Sequence, residues 1–308
     1  MLMKIIDLKK MAQVSMTDKV CCALGNFDGI HLGHKAVFDM CLAYAKANNL
    51  KSMVYTFCDS YKKYGKNIFT TEEKIEAIRN EKFDYICLDN LSDVKDYSGL
   101  EFVKKILVEK LNVEYACCGF NFSFGINASC NSEDLKNYLS KFGKNTGICS
   151  EYSVNNTTLS SSFIKELIIK GDMESVSKYS YDYSISSDVI HGKNNGTSIG
   201  FPTINQLVPD SKIAPKNGVY VSKTIIDSKW FPSVTNVGFR PTVETSQSFL
   251  NVETHIIGYS GNLYGKSVKV SFLKWLRDEI RFDNLEQLRM QISSDKESAM
   301  RYFEKHRV

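Results

Sequence analysis

Two histidines three positions apart, His31 and His34, stand where an apolar run at residues 20–24 gives way to a helical pattern at residues 34–48. The first turn of a helix has free backbone N–H groups, and the helix dipole favours an anion such as a phosphate there. Imidazole groups at this place suit the charge that develops on a phosphoryl group during its transfer. We therefore predict that His31 and His34 are catalytic.

The loop that carries these histidines is rich in glycine and reads Gly-Asn-Phe-Asp-Gly-Ile-His-Leu-Gly-His from residue 25 to residue 34. Glycine lets the backbone come close to a ligand. The end of the loop is similar to the His-x-Gly-His signature of nucleotidylyltransferases, and a glycine-rich turn with two surface histidines is the alternative interpretation. The residues predicted to bind nucleotide or phosphate here are Gly25, Phe27, Asp28, Gly29 and Gly33.

A second glycine-rich segment, residues 191–205, has the spacing of another phosphate site. Thr203 and Asn205 alternate about Ile204, so on an extended strand their polar groups face the same way, and such oxygens suit Mg²⁺ together with ATP. A glycine-rich hairpin with a buried threonine and asparagine is the alternative, and the order of a Walker loop is absent. The predicted phosphate-binding residues are Gly192, Gly196, Gly200, Pro202, Thr203 and Asn205, of which Thr203 and Asn205 are also the predicted metal ligands.

One acidic residue further along the chain, Glu253, alternates with its neighbours in residues 251–255 in the manner of a strand. A carboxylate beside a Mg-ATP site can accept the proton of an attacking hydroxyl group. We therefore predict that Glu253 is a catalytic base. Arg277 and Glu279, in a polar segment near the C-terminus, are candidates for a structural ion pair.

The elements that must position these residues change character along the 308-residue chain. In the first half, apolar runs at 20–24, 52–57, 85–88, 115–119 and 147–152 alternate with helical patterns at 34–48, 71–80, 99–111, 132–142 and 161–170. Strands that alternate with helices predict a doubly wound parallel sheet, whose ligand lies beyond the carboxyl ends of the strands. The fold class predicted for this half is therefore α/β.

The second half has no helical pattern between its strand-like runs at 183–191, 218–226, 230–237, 251–257 and 267–273. This succession predicts a small antiparallel β-barrel, with a sandwich as the alternative, closed by a C-terminal helix from residue 285 to about 306. We place the domain boundary near Tyr181, which gives a first domain of residues 1–181 and a second domain of residues 182–308.

Composition and cysteine spacing exclude several classes of protein. A net charge of +4 is mild and does not call for a nucleic-acid surface. The chain shows neither a signal peptide nor an apolar run that could cross a membrane, so we expect a cytoplasmic protein. The nine cysteines include no C-x-x-C pair, and we expect free, mostly buried thiols.

The two halves together resemble the bacterial bifunctional riboflavin kinase/FAD synthetases over nearly the whole chain. The resemblance rests on the order and spacing of short motifs at residues 25–34, 70–74, 119–125, 160–165, 196–205, 218–220, 235–242, 253–255 and 276–282. It implies that the second domain phosphorylates riboflavin with Mg-ATP to give FMN. It also implies that the first domain, an FMN adenylyltransferase, joins AMP from a second ATP to FMN, giving FAD and pyrophosphate.

The resemblance also implies roles for individual residues. It implies that the two histidines stabilise the α-phosphate during its transfer and that Thr203 and Asn205 hold Mg²⁺ and the ATP phosphates. It also implies that Glu253 is the general base on the ribityl hydroxyl group. Asn121 falls where the family contacts nucleotide or flavin. The implied phosphate-loop residues are Ser161, Ser162 and Lys165, and the implied flavin-binding residues are Asn236, Arg240 and Arg277.

Some positions depart from the pattern of that family, and they define the competing hypotheses. Lys165 stands where the family usually has arginine, and lysine cannot form the two parallel hydrogen bonds that a guanidinium group makes to a phosphate. In addition, no Arg or Lys follows Gly125 closely. One alternative is therefore that only the kinase half is fully active. Others are a nucleotidylyltransferase for a different phosphate acceptor with a regulatory β domain, and a flavin-binding regulator without catalysis. Small molecules are the expected partners, with weak self-association allowed and no nucleic acid or membrane.

Overall fold

The computed structural model describes residues 3–8, 16–58, 65–154, 156–192, 200–241 and 248–306, with backbone only at 240, 241, 248 and 249. The chain forms two compact units, Met1–Phe163 and Ile164–Val308. Among the helices that the structure describes, none combines the length and apolar composition that a membrane crossing needs.

The first unit is built on a six-stranded parallel sheet with the strand order β1-β4-β3-β2-β5-β8. Its strands are β1 Lys4–Asp7, β2 Val20–Leu24, β3 Lys51–Phe57, β4 Tyr85–Asp89, β5 Val113–Gly119 and β8 Asn145–Cys149. Short hairpins are formed by β6 Ser123–Phe124 with β7 Cys130–Asn131, and by β9 Ser153–Val154 with β10 Thr157–Thr158. The predicted α/β class and parallel sheet are confirmed.

The helices of this part of the chain connect the strands and close with α6, which reaches into the second unit. They are α1 Leu32–Ala47, α2 Thr71–Asn80, α3 Leu91–Val94, α4 Gly99–Glu101, α5 Ser132–Ser140 and α6 Ser161–Lys170. Residues Phe102–Lys110 continue α4 with the wider hydrogen bonding of a π-helix, and the N–H of Leu111 donates to the carbonyl of Ile106 at 3.0 Å. The sequence pattern predicts the apolar face here but cannot separate α from π geometry.

Burial explains which strands the sequence reveals. Strand β2 is buried along its whole length, as its unbroken apolar run predicts for a central parallel strand. Strand β1 has no such signal, since it is four residues long, lies at the sheet edge and exposes Lys4 and Ile5. The last strand of the sheet spans Asn145–Cys149, which is earlier than the predicted 147–152.

The second unit is a six-stranded antiparallel sheet with the order β11-β16-β13-β14-β15-β12. Its strands are β11 Ser184–Asp188, β12 Thr203–Leu207, β13 Gly218–Ile226, β14 Lys229–Pro241, β15 Ser248–Ile256 and β16 Ser267–Arg277. The two edge strands meet where the N–H of Ile190 donates to the carbonyl of Asn205 at 2.8 Å. This bridge nearly closes the sheet, so the predicted barrel is confirmed.

The barrel wall has two buried faces of different character. Its interior carries a chain of hydroxyl groups, in which Thr235 lies 2.7 Å from Ser222 and 2.9 Å from Thr254. Outside, the C-terminal helix α8 (Leu285–His306) packs Ala299 and Phe303 against valines of β13 and β14. The helix begins and ends as the sequence predicts.

The C-terminal part of α6 and the helix that follows it both precede the barrel in the chain, and both belong to the second unit. Helix α7 (Met173–Tyr179) packs on β16, and Glu174 lies 3.6 Å from the ammonium group of Lys274. The N–H of Lys216 also donates to the carbonyl of Ile168 at 3.3 Å. The compact unit thus starts earlier than the boundary near Tyr181 that the sequence suggests.

Candidate active sites

The first candidate site lies at the point where the sheet reverses its direction of winding. From β2 the chain builds β3 and β4 on one side, and later β5 and β8 on the other. Ligands of doubly wound sheets bind beyond the carboxyl ends of the strands at this switch point. The loop after β2 carries His31 and His34, and the turn after β5 carries the exposed Asn121.

The two histidines form a compact pair at the start of α1. Their rings are stacked with centroids 3.7 Å apart, and the ring of Phe27 meets His34 edge-on at 5.2 Å. Burial lowers the pKa of His31 to about 4 and the pKa of His34 well below its usual value. Both Nδ1 atoms are buried and have no hydrogen-bond partner among the described residues. Both rings are therefore neutral, and each has one nitrogen atom that forms no hydrogen bond to the described residues.

The loop between β2 and α1 is held in a strained conformation by distant parts of the chain. Phe27 and Ile30 have positive φ values of 49° and 39°. The carboxylate of Asp28 accepts hydrogen bonds from the backbone of Ile68 at 2.9 Å, and its carbonyl accepts from Ser161 Oγ at 2.8 Å. Left-handed non-glycine residues persist only where surrounding contacts enforce them, and they cluster at functional sites.

The glycines of this loop are required by packing against the chain itself. A Cβ atom on Gly33 would lie 3.1 Å from Nδ1 of His31, and one on Gly25 would lie 2.9 Å from the Phe27 ring. Gly29 has a φ of 84°, which disfavours any side chain. The loop thus packs closely on the rings of Phe27 and His31, and its predicted approach to a ligand stays a prediction.

A buried cation that the sequence interpretation did not assign, Lys74, lies beneath this site. It is 3% exposed, and its Nζ donates to the side chain of Asn26 at 3.2 Å and to the carbonyl of Phe57 at 2.9 Å. After burial and His31, its charge is a further cause of the low pKa of His34. A lysine close to the acidic start of a helix opposes the dipole, and this is the signal that could have identified it.

The serine-rich segment approaches the same loop through one residue. Ser161 makes the contact with Asp28, whereas Ser162 is exposed and Lys165 is half-buried on α6. The N–H of Phe163 donates to Ser160 Oγ at 3.2 Å and helps to start the helix. The structure thus joins Ser161 to the histidine loop and leaves Ser162 at the surface.

The second candidate site is a row of polar side chains on the outer face of the barrel. Thr203 Oγ1 donates to Glu253 Oε1 at 2.7 Å. Glu253 lies on β15 between two neighbouring strands. Asn205 on β12 is its register partner on one side, and Asn236 on β14 is its register partner on the other. Cross-strand partners share a face, so these four side chains all point outward together. The shared orientation of Thr203 and Asn205 agrees with the alternation expected from the sequence.

The glycine-rich segment packs directly on this row. A Cβ atom on Gly192 would lie 2.2 Å from Nδ2 of Asn205, so any other residue there would displace the Asn205 side chain. Asn251 Nδ2 donates to Asn205 Oδ1 at 3.1 Å, while Asn251 Oδ1 is buried without a partner among the described residues. Gly200 has a φ of 86° and open space around it, and Gly196 lies outside the described residues.

A cavity of about 450 Å³ opens beside Thr203. Pro202 and the segment 259–264 contribute to its lining. The ring of Tyr264 stacks on His191 with centroids 4.0 Å apart. The carbonyl of Pro202 is also 2.9 Å from Nδ1 of His255, whose pKa burial lowers. The cavity thus lies between the predicted phosphate-binding residues Pro202 and Thr203 on one side and Tyr259 and Tyr264 on the other.

The candidate flavin residues have different environments. Arg277 binds Asp295 with two hydrogen bonds, from Nε at 3.0 Å and from Nη2 at 2.7 Å. Glu279 instead accepts from Asn236 Nδ2 at 3.1 Å, so the suggested pairing of Arg277 with Glu279 is wrong. The reason is that α8 brings Asp295 against the end of β16. The side chain of Arg240 lies outside the described residues.

Fold and site together define a nucleotidyl-transferring α/β unit followed by a kinase-type barrel. The family model for FAD synthetase matches residues 13–163, and the model for riboflavin kinase matches residues 179–303. The chain belongs to the family of bifunctional riboflavin kinase/FMN adenylyltransferases, and it carries both domains.

Relatives of that description span almost the whole chain. Bifunctional riboflavin kinase/FMN adenylyltransferases of Buchnera aphidicola subsp. Schizaphis graminum and of Haemophilus influenzae are each 31% identical to it. The former comparison covers 91% of this chain and 93% of the relative, and the latter 92% and 94%. A crystal structure described as a macrolide-efflux protein from Streptococcus pneumoniae is 26% identical, has a TM-score of 0.85, and covers 96% of this chain and 98% of its own.

Proposed function

We propose that the first unit transfers AMP from ATP to FMN at the His31/His34 loop. The observation that carries this proposal is the neutral, stacked histidine pair at the start of α1. Neutral imidazole groups can donate hydrogen bonds to the oxygens of an incoming phosphate, and the helix dipole adds attraction. Charge that develops on the α-phosphate then strengthens both interactions, which lowers the barrier.

The second unit phosphorylates riboflavin, and Glu253 removes the proton of the ribityl hydroxyl. The bond of 2.7 Å between Thr203 Oγ1 and Glu253 Oε1 supports this role, since it fixes the direction of the carboxylate. A positioned base contributes about 10²- to 10⁴-fold to a rate. Asn236 lies beside Glu253 in the sheet, where a flavin contact is proposed for it and for Arg240 and Arg277.

Mg²⁺ fits the oxygens around Thr203 and Asn205. A hydroxyl, an amide oxygen and a carboxylate share one face there, and the buried Asn251 Oδ1 beside them has no partner among the described residues. Hard cations prefer such oxygen ligands. Bound Mg²⁺ would neutralise the charge of the ATP phosphates, while this chain holds the nucleotide through Gly192 and its neighbours.

A paired assay tests both assignments on the same preparations. His31→Ala should abolish FMN-to-FAD conversion and spare riboflavin phosphorylation, since losing one such donor commonly costs roughly 2 to 4 kcal/mol of barrier. Glu253→Gln should slow phosphorylation by about 10²- to 10⁴-fold and spare FAD formation from supplied FMN. His306→Ala, on the exposed end of α8, is the control. Equal loss of both activities in a variant would indicate a folding defect, whereas an unchanged rate of the affected step would refute the assignment.

The same assay separates the remaining hypotheses. Phosphorylation without FAD formation in the wild type would support a chain in which only the kinase half is fully active. Neither product would favour another phosphate acceptor or a flavin-binding regulator. Weak self-association and a cytoplasmic location stay predictions, and a concentration series in size-exclusion chromatography checks the former.

A further inference from the structure

Three of the nine cysteines converge on one point inside the first unit. The Sγ atoms of Cys21, Cys41 and Cys117 all lie within 4.8 Å of one another, and we call this group the thiol cluster. Each of the three residues is fully buried. They come from three different elements, since Cys21 lies in β2, Cys41 in α1 and Cys117 in β5.

The sequence neighbours of the cluster show that this convergence is specific to one face of the sheet. Cys22 and Cys118 are adjacent to Cys21 and Cys117 but point to the opposite face, where they pack in an apolar core. The cluster faces α1, and Cys41 Sγ donates to the carbonyl of Cys21 at 3.3 Å. Each adjacent cysteine pair thus supplies one thiol to the cluster and one to the core.

The spacing of the sulfurs suits a single metal ion. The distance between Cys21 Sγ and Cys117 Sγ is 3.9 Å. A three-coordinate ion with metal–sulfur bonds of about 2.3 Å would hold its sulfurs about 4.0 Å apart.

The ligand set selects a soft ion. Zn²⁺ in structural sites takes four ligands, and this group contains three among the described residues. Soft thiolate ligands also select Cu(I). We propose that the thiol cluster is a three-sulfur binding site for a soft, thiophilic ion of the Cu(I) type. Thiol protons displaced on binding leave to solvent, and an ion supplied as Cu(I) needs no electron transfer.

The cluster is connected to the elements that carry the histidine loop. Cys21 lies in β2, which ends directly before Gly25, Cys41 lies two helical turns beyond His34, and β5 leads to the Asn121 turn. An ion that draws the three sulfurs together would shift these elements, and a misplacement of about 1 Å can cost roughly 100-fold in rate. Occupancy should therefore slow FAD formation and spare riboflavin phosphorylation.

Copper binding is tested directly, with no dependence on the proposed activities. Reduced protein is titrated anaerobically with Cu(I) against the chromophoric chelator bathocuproine disulfonate, both folded and during refolding because the sulfurs are buried. We expect one Cu(I) per chain, and loss of this uptake in Cys41→Ser and Cys117→Ser. The matched controls Cys22→Ser and Cys118→Ser, in the opposite core, should retain it.

Each outcome decides the proposal. No uptake by the wild type in either mode, or equal loss in the matched controls, overturns it. If Cys117→Ser lacks the wild-type circular dichroism, Cys41→Ala on the helix replaces it in the comparison. In the activity measurement, one equivalent of Cu(I) should slow FMN-to-FAD conversion up to about 100-fold in the wild type and not in Cys41→Ser. Equal inhibition of Cys41→Ser would place the ion elsewhere and reject the coupling.

Discussion

The stacked rings of His31 and His34 can share one small volume only because both are neutral. Two imidazolium groups with centroids 3.7 Å apart would repel each other strongly in a buried site. Burial is the main cause of both low pKa values, and the nearby Lys74 adds to the effect at His34. We expect a bound phosphate to place negative charge beside this neutral pair at the start of α1.

The stability of the protein should fall in acid because of His31. Its pKa of about 4 in the folded protein is below the ordinary 6.5, so the unfolded chain binds the proton more readily between these values. Above pH 6.5 the protonation of His31 therefore does not reduce the free energy of unfolding. Between pH 6.5 and pH 4 it lowers this free energy by about 1.4 kcal/mol per pH unit. Urea denaturation at about pH 7, 6 and 5 should give a steeper decline for wild type than for His31→Gln. Parallel slopes would contradict the prediction.

Arg277 has a structural role that must be separated from any flavin contact. Arg277→Met leaves the buried carboxylate of Asp295 with the hydrogen bond from Gln291 as its only one among the described residues, and should cost about 2 to 3 kcal/mol. Arg277→Met combined with Asp295→Leu should recover most of that loss in urea denaturation. If the double variant is stable and still has a raised KM for riboflavin, Arg277 contacts flavin. An unchanged KM assigns it to structure alone.

At the level of elements, helix α2 fixes the buried lysine beneath the histidines. Its start is a capping box, in which Thr70 Oγ1 accepts from the N–H of Glu73 at 3.2 Å and the N–H of Thr70 donates to Glu73 Oε2 at 3.0 Å. The next residue is Lys74, whose ammonium group binds Asn26 in the histidine loop. The helix cap thus acts on the site through one long side chain.

Loss of this cap should affect stability and FAD formation together. Thr70→Ala should cost about 1 kcal/mol, and it should also slow FMN adenylylation because Lys74 loses its fixed position. Ser98→Ala removes an equivalent capping box, at the start of α4. That control should lose similar stability in urea denaturation and keep its FAD rate. Equal rates in the two variants would show that the cap does not act on the site.

The barrel strands show a limit of predicting burial from alternation. Ser222, Thr235 and Thr254 line the interior among apolar side chains, whereas Val219 and Val234 lie on the outer face under α8. Alternation predicts the two faces, but each face carries both polar and apolar side chains, so the pattern alone does not show which face is buried. Helix α8 covers the outer valines, and mutual hydrogen bonds satisfy these inner hydroxyl groups.

At the scale of the whole molecule, the second unit extends before the predicted boundary. A fragment of residues 164–308 should fold alone and phosphorylate riboflavin, because α7 and its contacts with β16 are retained. A fragment of residues 182–308 loses the buried Met173, Val176 and Tyr179, each worth about 1.5 to 3 kcal/mol when fully buried. Its urea midpoint should be clearly lower, with the full chain as control. Equal midpoints would support the boundary near Tyr181.

The sequence by itself determined the features that depend on neighbours along the chain. The spacing of His31 and His34, the alternation of Thr203 with Asn205, and the lengths of α2 and α8 follow from local periodicity and capping. The change from alternating strands and helices to consecutive strands determined the two fold classes. These signals are local because helix and strand repeats are fixed by backbone geometry.

Only the tertiary structure decided which distant residues meet. Arg277 pairs with Asp295 because α8 packs against the barrel, and Lys74 reaches Asn26 because α2 starts beside the histidine loop. The thiol cluster likewise forms because two parallel strands and α1 bring their sulfurs to the same face. Such meetings depend on strand register and helix packing, in which positions tens of residues apart become neighbours, and no local repeat encodes them.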